Sequence, residues 1–274
     1  MPQLKHRIDL ALLISVDNAN PNGDPLNRGL PRRDRFGRGV ISAVCIKRKL
    51  RNALEQMGQE ILISPPEYPG DDLAHRLSDV SRRSDMKDEA CRRWFDVRAF
   101  GQTFAVRGCN FSGIRGAVSL QSAVSVCPVR IVNQGITSCF SGKKSSIGFK
   151  TSVEHGLYVL KGSIIPGAAA KNRFSEEDCI ILQKALLHMT DEDCSSSRPA
   201  GSMEVRKLLW WEHPGMLGAV SPSGVFGSVS IRPAHGEPKR YEDYRIDIAD
   251  IPGVKLTVFD RDDMLTAVGE TRRG

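Results

Sequence analysis

Aromatic side chains make up only 6% of this 274-residue chain, which disfavours a base-stacking platform built from several exposed rings. Long apolar runs are missing too. None reaches the ~18 residues of a membrane-spanning helix, so no membrane partner is expected. The segment Met1-Pro2-Gln3-Leu4-Lys5-His6-Arg7 has no apolar core ahead of a small-residue cleavage site, so secretion is not expected. Seven cysteines without a C-x-x-C pair make neither a disulfide framework nor a zinc knuckle, and the six histidines lack metal-ligand spacing. No cofactor or metal is implied. What remains is a reduced, cytoplasmic, globular chain with one core, as 40% hydrophobic and 26% charged residues allow.

Positive charge, by contrast, is present and segregated. The formal net charge is +7. Residues 28–51 hold nine cations (Arg28, Arg32, Arg33, Arg35, Arg38, Lys47, Arg48, Lys49 and Arg51) against Asp34 alone. Residues 130–173 hold seven, among them Lys143, Lys144 and Lys150, against Glu154 alone. The rest of the chain is therefore net acidic. Such asymmetry points to a polyanionic partner on one surface and to acidic-to-basic contacts between copies.

The pattern predicts an α+β fold. Arg7 to Val16 reads as a buried strand and ends in Asp17-Asn18-Ala19-Asn20-Pro21-Asn22-Gly23-Asp24-Pro25, all turn formers. The basic loop that follows is long enough to imply a task. Ala43, Ile46, Leu50, Ala53, Leu54 and Met57 then share one face of a helix over 42–57, with Ser42 as N-cap. On that helix Lys47 and Arg51 stand one turn apart beside the apolar stripe, a phosphate track next to an electropositive N-terminus, while Arg48 and Lys49 point away. Residues 59–93 read as an insertion with a short helix at 71–80, and 94–104 and 117–131 read as strands. Residues 133–155 read as a projecting hairpin with a polar, basic tip. A second helix starts at Ser175, a strand covers 203–211, 215–227 is loop, 241–260 supplies one or two strands, and 266–274 is a frayed tail. The order βαββαβ is that of the ferredoxin-like module used by RNA-recognition domains, here in a single domain over 1–274.

Motifs for chemistry mostly fail. Gly142-Lys143-Lys144-Ser145 lacks the first glycine of a P-loop and a Ser or Thr after Lys143. Gly37-x-Gly39-x-x-Ser42 opens a helix without a preceding strand and is a poor dinucleotide fingerprint. Asn18-x-Asn20-x-Asn22-Gly23 starts like a calcium loop but reaches Gly29 where a bidentate Glu belongs. His155, beside the basic hairpin, is the one histidine in place for acid–base work on RNA, and it has no adjacent second group.

Several segments together carry a resemblance. Asn20-x-Asn22-Gly23-Asp24-Pro25, Pro31-Arg32-Arg33-Asp34 and the run from Gly39 to Asn52 are similar to the start of the CRISPR-associated Cascade backbone subunits. These form the Cas7 family, here of subtype I-C (the Csd-two type), within the RAMP superfamily. Asp96-Val97-Arg98-Ala99-Phe100-Gly101, Phe174-Ser175-Glu176-Glu177-Asp178 and Met203 to Leu208 continue the match across most of 7–260. The resemblance implies an RRM-like palm with a thumb at 133–155. It also implies head-to-tail assembly along a CRISPR RNA (crRNA) that stays free to pair with a target DNA strand, alongside Cas5-type, large and small Cascade subunits. Ser42, Lys47 and Arg51 would meet crRNA phosphates, with Asn22, Arg28, Arg33, Arg35 and Arg206 as further RNA-binding candidates. Lys143, Lys144 and Lys150 would serve the thumb or the target strand, and Ile136 or Ile147 would act as an aliphatic wedge. The expected role is therefore a non-catalytic crRNA holder. The alternatives are a metal-independent RAMP endoribonuclease using His155 and, last, a nucleotide-binding enzyme using 37–42.

Overall fold

The computed structural model describes residues 2–67, 69, 71–81, 86–104, 113–137 and 147–261. Strand β1 (Ile8–Ala19) lies at the centre of the fold. Short β2 (Gly23–Asp24), β3 (Leu30–Pro31) and β4 (Arg38–Ile41) break up the loop that follows it and lead into helix α1 (Ala43–Gln56). The 59–93 region holds α2 (Leu73–Ser81) and α3 (Met86–Arg93); α4 (Phe95–Phe100), β5 (Gly101–Thr103) and β6 (Gly113–Arg115) come next. Then come β7 (Val118–Leu120), β8 (Ala123–Pro128), β9 (Ile131–Thr137), the 18-residue β10 (Ile147–Ile164), α5 (Pro166–Asn172), α6 (Glu176–His188) and β11 (Met203–Glu212). The C-terminal part adds α7 (Pro222–Gly227), β12 (Val229–Pro233), β13 (Tyr244–Ile248) and β14 (Lys255–Asp260).

One large antiparallel sheet runs β14-β11-β1-β10-β8-β4, with β7 and β9 pairing along β10. The near-continuous apolar run of β1 follows from cover on both faces. Leu10, Leu12, Ile14 and Val16 pack with α1 (Ile46, Leu50, Leu54) and α6 (Leu182, Ala185, Leu186). On the other face Ala11 meets Leu209, Trp211 and Val225, while Leu13 meets Leu157 and Tyr244. Burying a Leu-sized side chain is worth ~1.5–3 kcal/mol, so this two-sided cover holds β1 firmly in place. A second small core joins Leu62, Leu77, Val80, Met86 and Ala90 of the insertion to Trp94, Val97, Phe104 and Ile114 beyond it.

Both long helices form where the sequence places them. The Ser42 hydroxyl accepts from the Cys45 N–H at the start of α1, and Ser175 forms a capping box with Asp178 on α6. Other elements differ from expectation. Residues 94–104 begin as α4 rather than as a strand, because Asp96 in its first turn accepts the Leu62 and Ile63 N–H groups while Gly101, at φ +77°, ends the helix. The expected strand over 117–131 is divided into β7, β8 and the start of β9, and the expected loop at 215–227 contains α7. Among the described residues no helix is long and apolar enough to cross a membrane. The tail at 266–274 lies outside the described residues.

Candidate nucleic-acid interface

The basic loop is held by its own asparagines. Asn22 Oδ1 accepts the Ser42 N–H at 2.9 Å, which pins the loop to the first turn of α1, and Asn20 Nδ2 donates to the Gly29 carbonyl at 2.7 Å. Asn22 Oδ1 and Asn20 Nδ2 are thus committed to loop structure. Arg32 pairs with Asp24 and Arg38 with Asp34. Arg28, Arg33 and Arg35 are exposed, and no carboxylate neutralises them among the described residues. Arg35 lies 4.7 Å over the exposed ring of Phe36. Gly39 sits on β4 under Tyr158, where an added Cβ would overlap the phenol hydroxyl, so close packing explains this glycine better than a dinucleotide does.

On α1 the cations divide. Lys47 and Arg51 both lie over the ring of Phe100, at 5.5 and 5.4 Å. Lys47 has no carboxylate partner among the described residues. Partial burial, with the charge of Arg51 beside it, holds its ammonium below the usual lysine value. Arg51 is turned inward: its Nε donates to Asp96 Oδ2 at 2.8 Å, and the carboxylate of Asp96 is buried. Arg51 therefore clamps α1 to α4 instead of standing free for a phosphate. Lys49 does not point away as expected but is buried in an ion pair with Asp193, because that side of α1 packs on the segment after α6. Arg206 is also occupied, donating to Ser15 Oγ at 2.8 Å, pairing with Glu204 and lying 5.3 Å from the centre of the Tyr241 ring. The resemblance implies RNA contacts for Arg51 and Arg206, and the structure gives each a carboxylate partner that a sequence does not show.

The β9–β10 hairpin runs out along the register Val153↔Ile131 to Ile147↔Thr137. Ile136 sits opposite Gly148 and is 51% exposed. Phe149, opposite Gly135, is 75% exposed and was missed by the sequence reading. Its signal was the alternation over 147–153, which places one large ring across from a glycine. Lys150 is half-buried opposite Gln134, and Ile147 opens β10. Lys143 and Lys144 lie outside the described residues.

At the base of this hairpin His155 Nδ1 lies 2.6 Å from Asp17 Oδ1. The carboxylate favours the Nδ1–H tautomer, which leaves Nε2 as an acceptor; Nε2 is buried and has no partner among the described residues. The pair borders a cavity of about 380 Å³ that Arg130, Glu154, Lys239 and Tyr244 also line. Burial raises the Tyr244 phenol to about 12. Only 5% of the His155 side chain is exposed, so the imidazole is closed off from an incoming strand.

A family model described as CRISPR-associated protein Cas7 matches residues 6–249. A relative from Haloferax volcanii, described as CRISPR-associated protein Cas7, is 24% identical over 307 residues, covering 97% of this chain and 88% of the relative. Among solved structures, a chain of a CRISPR RNA-guided surveillance complex, pre-nicking, superposes with a TM-score of 0.53 at 13% identity. That match covers 75% of this chain and 78% of the other, and shows a shared fold.

Proposed function

The chain belongs to the Cas7 family, and from that premise we propose that it is the crRNA-binding backbone subunit of a CRISPR surveillance complex, Cascade. One observation carries the reading at the level of residues. Four cations without a carboxylate partner among the described residues, Arg28, Arg33, Arg35 and Lys47, lie on a loop and helix that Asn22 joins at the N-terminus of α1. Cations with a helix N-terminus beside them bind phosphate irrespective of base. Copies assemble head to tail along the guide, which stays free to pair with a target DNA strand, and other Cascade subunits close the ends. The strand order β11-β1-β10-β8 with α1 and α6 on one face supports an RRM-like palm, and the exposed rim of β9–β10 supports a thumb over 133–155. The short motifs in the loop and on α1 support assignment to subtype I-C.

The role is structural, and no bond is made or broken by this chain. A second reading, endoribonuclease action by His155, draws on the Asp17–His155 pair; closure of Nε2 argues against it. One preparation separates the two. Protein co-expressed with a repeat–spacer array is expected to purify as a large assembly holding RNA of one length, and added repeat RNA should survive incubation in chelator. Monomeric, RNA-free protein would refute the backbone role. Cleavage in chelator that is lost in His155→Ala would establish the enzyme.

A further inference from the structure

We propose that the cavity between α3, β6 and α5 is a second phosphate site, taking the backbone of the same nucleic-acid strand that Lys47 reaches. The proposal rests on the nucleic-acid-binding reading above and extends it to a part of the molecule that no motif marked.

The cavity has a volume of about 310 Å³, and its lining brings together Lys87, Arg115 and Lys171 with no acid among the described residues. All three are exposed, and none has a carboxylate partner among the described residues. The acid next in sequence, Asp88, does not neutralise them. It is held by Arg173 and Arg92, and hydrogen bonding from Arg173 keeps its carboxyl below the usual carboxylate range.

The floor is rigid. Asn172 is buried and donates through Nδ2 to the carbonyls of Arg98 (2.7 Å) and Arg115 (3.0 Å), while its Oδ1 accepts the Phe174 N–H at 3.2 Å. This fixes the β6 backbone from which Arg115 extends. Apolar walls from Ile114, Ile165 and Ala168 lower the local dielectric and strengthen the field of the three cations.

Position ties the cavity to the α1 track. Arg115 pairs across β5–β6 with Gly101, the residue after Phe100, and the ring of Phe100 lies beneath Lys47. One aromatic ring and one strand pair therefore separate the two groups of unpaired cations. Among the described residues the lining offers no ring to stack on, no free amide and no carboxylate. A strand running past its phosphates fits this chemistry better than a free nucleotide does.

The test uses the full chain and a single-stranded RNA long enough to span both sites, with affinity measured against salt. The combined variant Lys87→Ala, Arg115→Ala, Lys171→Ala is expected to flatten the log–log salt slope by about 2, the single-strand value for three lost contacts, and to weaken binding more than about tenfold at low salt. The charge-preserving variant Lys87→Arg, Arg115→Lys, Lys171→Arg should keep the slope, and its loss there would overturn the proposal. An unchanged slope in the alanine variant, with Lys47→Ala still lowering it, overturns the second site and leaves the proposed function standing. No change in either variant removes both. Inorganic phosphate serves as the other arm. If phosphate binds and its binding is lost in the alanine variant while the RNA slope is unaffected, the cavity takes a small anion only and the strand proposal falls.

Discussion

Lys47 and Arg51 share the ring of Phe100, yet among the described residues only Arg51 has a carboxylate to neutralise it. The Lys47 pKa is lowered from 10.5, mainly by burial, so the folded state disfavours the charged amine. That penalty is present in full below the folded pKa and vanishes as the pH rises past the unfolded value. Lys47→Met should therefore raise the urea midpoint at neutral pH, a gain that disappears above about pH 10.5. The same change should lower the salt slope of RNA binding by about 0.7. Greater stability with weaker binding marks a side chain kept for a ligand. Arg51→Ala should behave in the opposite way. It leaves the buried Asp96 carboxylate with the Leu62 and Ile63 N–H groups alone, a loss of about 3 kcal/mol readable in the urea midpoint. A destabilised Lys47→Met, or an Arg51→Ala as stable as wild type, would reverse these assignments.

At the scale of elements, legibility followed the strength of the local signal. The helices α1 and α6 were readable because an apolar stripe at helical spacing coincides with a serine cap, and both caps are made. The short helix α4 was not, since Phe95, Val97 and Phe100 are as common in strands, and its form depends on hydrogen bonds from residues 62 and 63. The hairpin was legible as an element, but the exposure of Phe149 at its rim was not. Ile136 and Ile147 were the expected wedge; Phe149 is more exposed than Ile136 and has Gly135 across from it. Because its ring touches little of the body, Phe149→Ala should leave the unfolding midpoint within about 0.5 kcal/mol of wild type. If this ring unstacks a nucleotide, as apolar wedges do in duplexes, 2-aminopurine at displaced positions of a bound guide should lose fluorescence in the variant. Unchanged fluorescence would return the wedge role to Ile136.

Across the whole molecule, the face of the sheet opposite α1 and α6 decides how a strand can be held. An open sheet face with exposed rings binds single strands by stacking, at ~1–3 kcal/mol per base, and so inherits the differences in stacking strength among the bases. Here that face is covered. Val225, Val229, Ile231, Tyr244 and Ile246 from the C-terminal segment pack over Ala11, Leu13, Leu157 and Leu209. Strands are legible at 241–260, where β13 and β14 form, but α7 and the five-residue β12 are not, being too short to show a clear period. With the sheet closed, a strand is left with cations on a loop, a helix and a cavity rim that are unpaired among the described residues, and contacts from these to phosphate carry no base identity. Oligo(A), oligo(U) and oligo(C) of equal length should then bind within about threefold of one another and share one salt slope, whereas a stacking platform would separate them by roughly tenfold or more. A clear preference for one homopolymer, persisting at high salt, would mean that a ring outside the palm reads bases, and Phe149 would be the first to replace.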